Sequence, residues 1–257
     1  MIKETMNMVW GSFGRVHIAT LILAALMIAL LYVVLKNRKR KTQTAVLFVL
    51  SFVGNAATVY NLVVWGSPLE YLPLHLCALN GLLLPVAVAT RNRKLCNLLL
   101  LWSLGAFVAL VANGPMANAE ITGAPFLFYY FAHVTELGIP LLLFSLDHVE
   151  KDPKCIGSTL GLTWGAYTAI YGINKLINYL CVLFSVTRPD GSLIQVNYMY
   201  SMGPIDPLSG ALWNLLPCEY LYMLLAMPII AAYLSAVYAP QLVRDRKPRV
   251  RCTMPPM

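Results

Sequence analysis

The chain has 257 residues, of which 59% are hydrophobic and only 12% charged, about half the charge a soluble domain carries. That balance excludes a water-soluble globular enzyme and describes an integral membrane protein. The net charge of +8 reads as orientation and contact with anionic lipid, so no nucleic-acid partner is expected.

In chain order, continuous apolar stretches predict an all-α bundle of seven membrane-spanning helices at about 16–35, 45–65, 72–89, 95–112, 125–146, 156–183 and 215–238. Helices are expected because lipid tolerates only structures that satisfy their own backbone hydrogen bonds. Four clusters, Lys36 to Lys41, Arg91 to Lys94, Lys151 to Lys154 and Arg244 to Arg251, hold 15 of the 19 Lys and Arg residues. They fall at every second connection, so the positive-inside rule predicts an outer N-terminus and a cytoplasmic C-terminus. With no repeat or soluble insertion visible, residues 1–257 read as one transmembrane domain. Its short tails favour a bacterial plasma membrane, with an internal membrane expected in a eukaryote.

The outer connection at 186–214 contains three prolines, three glycines and the aromatics Tyr198, Tyr200 and Trp213. A connection of that length and make-up predicts an ordered cap over the outer end. Six cysteines form no CxxC pair. Cys96, Cys155 and Cys252 fall near the cytoplasmic face, where thiols stay reduced, while Cys181 and Cys218 on the outer side are a candidate disulfide pair.

Topology also assigns depth to the polar residues. Cys77 lies about six residues into the third span and His133 about eight into the fifth, so at 1.5 Å per residue both sit roughly 9–12 Å from the outer surface. His75, Asn80, Glu136, Asn174, Lys175, Asn178 and Glu219 map to the same half of the bundle, which predicts a shared polar cavity opening outward. Cys77 and Asn80 share a helix face, as do His133 and Glu136, whereas His75 points about 200° away from Cys77. His133 is therefore the candidate base for the Cys77 thiol, and Lys175, a charge inside an apolar stretch, is a candidate binding group.

The segments LPLHLCAL (72–79), FLFYYFAH (126–133) and NYMYSMGPIDPLS (197–209) resemble the YwaF-like bacterial membrane proteins and their eukaryotic relatives, the transmembrane protein 164 family. The resemblance implies acyl transfer between phospholipids: a cysteine takes a fatty acyl chain from a phospholipid and passes it to a lysophospholipid, assisted by a histidine. These roles fall on Cys77 and His133. By this reading Lys175 meets a phosphate or oxyanion, Asn80, Asn174 or Asn178 donates to the oxyanion, Glu136 or His75 supports the base, and Asn197 and Tyr198 belong to the cap. No metal or cofactor is expected.

Two other classes share these features. An intramembrane metal hydrolase would use His75, Cys77, His133 and Glu136, all zinc-ligand types, although no CxxC or three-histidine spacing supports it. A transporter or ligand-sensing protein would use the same polar cavity for binding alone, and would tolerate the loss of the Cys77 thiol.

Overall fold

The computed structural model describes residues 9–64, 67–112, 116–205 and 207–246. Lys3, Lys247, Arg249, Arg251 and Cys252 lie outside them. The described residues are all-helical: α1 (Arg15–Leu35), α2 (Arg40–Leu50), α3 (Val53–Val64), α4 (Leu76–Thr90), α5 (Arg93–Ala112), α6 (Ala124–Ser145), α7 (Cys155–Leu183), α8 (Pro207–Leu215) and α9 (Met227–Arg246), with 3-10 turns at Pro68–Glu70, Tyr198–Tyr200 and Leu221–Ala226.

Five helical stretches are long and apolar enough to cross a membrane: Arg15–Leu35, Arg40–Val64, Arg93–Ala112, Ala124–Ser145 and Leu221–Gln241. The other two expected spans depart from that standard in opposite ways. Helix α4 has only 15 residues, because the Pro73 region before it is non-helical and the helix begins at Leu76. Helix α7 has 29 residues, but its C-terminal half carries Asn174, Lys175 and Asn178.

Two boundaries also differ from the hydropathy reading. The second stretch breaks at Ser51, whose hydroxyl donates to the Phe48 carbonyl three residues back at 2.6 Å and competes with the helix ladder. The connection at 186–214 is not all loop, since α8 occupies its last part and the next helical stretch begins only at Leu221.

Charged connections gather at one end of the bundle. Arg40 Nη1 donates to the Asp147 carbonyl at 2.8 Å, Arg91 Nη2 to Thr44 Oγ1 at 2.8 Å, and Arg93 pairs with Asp152 at 3.0 Å. Gln43 Nε2 donates to the Leu35 carbonyl while its Oε1 accepts from His148 Nε2, both at 2.9 Å. Asn97 adds a further tie, accepting from the Asp152 amide and from the Tyr238 hydroxyl. Buried leucines of α4, α5 and α6 pack above this layer with Leu234 and Tyr238 of α9.

The opposite end is closed by two elements. Trp10, fully buried, donates from Nε1 to Thr20 Oγ1 at 2.7 Å and packs edge-on to Phe126. His17, also fully buried, accepts the Phe13 amide at Nδ1, so its Nε2–H donates to the Leu110 carbonyl at 2.9 Å. The second element is the segment 186–205. Asn178 is clamped to both the N–H and the carbonyl of Val196. Asn174 does the same to Tyr198 and also donates to Ser201 Oγ at 2.8 Å. The Tyr198 hydroxyl reaches across to the Leu69 carbonyl. Since apolar helices gain little from hydrophobic association in lipid, side-chain amides that satisfy buried backbone groups are the means of fixing such a segment.

Arg188 completes the cap with a forked contact on Glu70, from Nε to both carboxylate oxygens at 2.9–3.0 Å and from Nη2 to Oε1 at 2.5 Å. These hydrogen bonds hold the Glu70 carboxyl below its ordinary value. The contact is therefore at full strength above the ordinary carboxylate range and is lost as pH falls through the lowered value. The protection of amides at residues 186–196, taken relative to their intrinsic exchange rate at each pH, should fall once the pH drops below the ordinary carboxylate range, and Glu70→Gln should show the same loss, as faster exchange, at neutral pH. Unchanged exchange in Glu70→Gln would mean that the asparagine clamps alone hold the segment.

Candidate active site

Cys77 is the second residue of α4, with His75 as N-cap. It therefore sits in the helical turn whose N–H groups have no intrahelical acceptor, where negative charge is stabilised. The thiol faces α5, since a Cβ at Gly105 would lie 3.7 Å from Sγ. Helix α6 brings His133 and Glu136, three residues apart on one face, to the same point. The Cys77 Sγ, a His133 ring nitrogen and a Glu136 carboxylate oxygen all lie within 4.8 Å of one another.

His133 has a defined tautomer. Its Nδ1 lies 2.7 Å from the Tyr129 carbonyl, which only accepts, so Nδ1 carries the proton and the Nε2 lone pair is left to act as a base. The Tyr129 ring packs 4.2 Å from the imidazole, and its hydroxyl donates to the Ala109 carbonyl at 2.9 Å, so the ring is held by a second helix.

Glu136 is 2% exposed and is wedged where α3 and α4 cross. A Cβ added at Gly54 would meet Glu136 Oε1 at 3.0 Å and the Gly81 Cα at 3.2 Å, and one at Gly81 would meet Oε1 at 3.1 Å. Both glycines are needed for this close approach. Asn80 Nδ2 donates to the Glu136 carbonyl at 3.3 Å, while Asn80 Oδ1 and Glu136 Oε2 are buried without a hydrogen-bond partner.

The remaining sequence candidates go elsewhere. His75 Nδ1 accepts the Met199 amide at 3.3 Å, which places it under the cap. Asn174, Asn178 and Tyr198 form the cap clamps described above, and Asn197 is used within the cap, donating to the Gly203 carbonyl and accepting the Met202 amide at 2.9 Å. Lys175 is outside the Cys77 cluster, exposed and paired with Glu219 at 2.5 Å. Cys181 is buried, Cys218 is exposed, and both are free thiols rather than a disulfide.

An apolar cavity of about 640 Å³ lies among α1, α3 and α6, with Met27, Leu31, Val53, Phe131 and Gly138 in its wall. Its volume falls in the range of about 300–1,000 Å³ usual for small-molecule sites. The sequence reading expected a polar cavity; this one is apolar, and its wall residue Val53 directly precedes Gly54, which touches Glu136. Gly54, Gly81 and Tyr129 had no place among the sequence candidates, although small residues within apolar stretches are a general signal of close helix contact.

Helices of membrane-spanning character, with a thiol, an imidazole and a carboxyl converging inside the bundle, define an integral membrane protein with a buried polar centre. The chain belongs to the TMEM164 family, whose family model matches residues 12–238. No curated protein and no solved structure matches it with significant similarity.

The wedge at Glu136 gives a stability test. Gly81→Ala should destabilise the protein by about 1–3 kcal/mol, the usual cost of overpacking. Glu136→Ala in the same chain should recover part of that loss, because Oε1 is the nearest obstacle. Thermal unfolding in detergent of the two single variants and the double variant measures the coupling, and strict additivity would contradict the wedge.

Proposed function

We propose that the protein moves a fatty acyl chain from a phospholipid to a lysophospholipid through a thioester on Cys77, with His133 as acid-base catalyst. The observation that carries this reading is the convergence of the Cys77, His133 and Glu136 functional atoms within 4.8 Å. In the first half-reaction His133 Nε2 takes the thiol proton, Sγ attacks the ester carbonyl, and the C–O bond of the donor breaks. The departing lysophospholipid oxygen receives the proton from the imidazolium. In the second half, the hydroxyl of an acceptor lysophospholipid attacks the thioester, giving its proton to His133 while the C–S bond breaks and the thiol is restored. Splitting the exchange in this way replaces one difficult step by two easier ones.

The N–H groups of the first turn of α4, which have no acceptor within the helix, support this role, because a helix N-terminus suits a developing oxyanion. Glu136 lies where a carboxylate balances the charge on an imidazolium. The apolar cavity among α1, α3 and α6 takes the acyl chain, since its wall runs to the residue next to Gly54. For direct transfer the sulfur and nitrogen must close to about 2.6–3.2 Å or share one water.

In the membrane, seven helical segments cross, with α2–α3 counted once and Leu221–Gln241 as the last. The connections joined by Arg40, Arg91 and Arg93 lie inside, and the cap lies outside. In a Cys218→Ser background, an impermeant thiol reagent added outside should label Ser192→Cys and leave Lys39→Cys unlabelled; the reverse pattern would invert this topology.

The chemistry is tested with purified protein and a phospholipid labelled in its acyl chain. A hydroxylamine-sensitive adduct should form at Cys77 and be absent in Cys77→Ala. His133→Ala should slow its formation by about 10²–10⁴-fold, the usual contribution of a positioned acid-base group. An adduct that persists in Cys77→Ala would rule out the thioester.

A further inference from the structure

The Cys77 site contains more than a cysteine-histidine pair requires. A thiol, an imidazole and a buried carboxyl meet at one point, and these are three side-chain types that bind zinc. Glu136 Oε2 is buried and has no hydrogen-bond partner, so a polar atom is available at the centre. His133 is oriented as metal-binding histidines are, with its other nitrogen bonded to a carbonyl and its ring backed by Tyr129. No ligand spacing marks the site in the sequence, because the sulfur comes from α4 and the other two groups from α6.

We propose that Cys77, His133 and Glu136 bind one zinc-class divalent cation, and that this cation holds the site in an inactive state. Tetrahedral zinc with these ligands separates the donor atoms by roughly 3.4–3.6 Å, which the observed ceiling of 4.8 Å reaches by small side-chain rotations. Binding breaks the thiol S–H bond and releases that proton to solvent, with no change of oxidation state. The sulfur and the Nε2 lone pair are then both engaged by the metal, so neither nucleophile nor base is free. Magnesium and calcium, which prefer oxygen ligands, do not suit a site with sulfur and nitrogen.

The binding claim stands apart from the acyl-transfer reading, whereas the inhibition claim rests on it. The test uses full-length protein in detergent, with Cys218→Ser to remove the exposed thiol, stripped by chelator and titrated with Zn²⁺ or Co²⁺. The expected result is one metal per chain and a near-ultraviolet sulfur-to-cobalt absorption band that disappears in Cys77→Ser. Glu136→Gln, close in shape, should weaken binding at least about tenfold, in line with loss of a ligand. Formation of the labelled acyl adduct should fall as zinc occupancy rises, recover on chelation and ignore Mg²⁺. Failure to bind, or binding unchanged in both Cys77→Ser and Glu136→Gln, would overturn the site, and a zinc-dependent gain in adduct formation would overturn its inhibitory role. If cobalt binds as expected but chelated protein forms no adduct, the metal site stands and the acyl-transfer reading falls.

Discussion

A carboxyl group in the middle of an apolar bundle must be given room and neighbours, and the crossing of α3, α4 and α6 is built around that requirement. Glycines at 54 and 81 remove two side chains so that Glu136 Oε1 fits between the helix backbones. The arrangement fixes the rotation of α6, and with it the direction of His133 one turn earlier. Cys77 lies one turn before Gly81 on α4. The same crossing therefore sets the distance between the thiol and the imidazole. Moving either glycine contact displaces the carboxyl first and the thiol and imidazole next.

The cap over the end opposite the charged connections follows a different principle. It is tied by amides that each satisfy both the donor and the acceptor of one backbone residue, Asn178 at Val196 and Asn174 at Tyr198. Such double contacts give an irregular segment the hydrogen bonds that a helix supplies for itself. They also account for polar residues on the C-terminal half of α7: Asn174 and Asn178 serve the cap. His75, at the start of α4, joins the two regions by accepting the Met199 amide.

Much of the helical layout was legible in the sequence because hydropathy reports it directly, and the basic clusters marked the connections that the structure gathers at one end. The proximity of Cys77 and His133 was also legible, through a count of residues along two helices from a common surface. Helix rotation was not. Depth placed Lys175 and the asparagines level with Cys77, but α7 turns those side chains to Glu219 and to the cap. Local backbone breaks were equally hidden, since the interruption at Ser51 depends on a hydroxyl choosing a carbonyl within its own helix. The burial of Trp10 depends on contacts with α1 and α6, far along the chain, that no local pattern encodes.

The knot of side chains around Asn97 gives the bundle a mechanical polarity. At that end Asn97 links α5 to the Asp152 backbone and to Tyr238 of α9, and Gln43 links the end of α1 to His148. Helices stitched together there are fixed in their relative positions at that end. The cap is tied chiefly to α7 and to the approach to α4. The two ends of the bundle are thus laced by different sets of side chains.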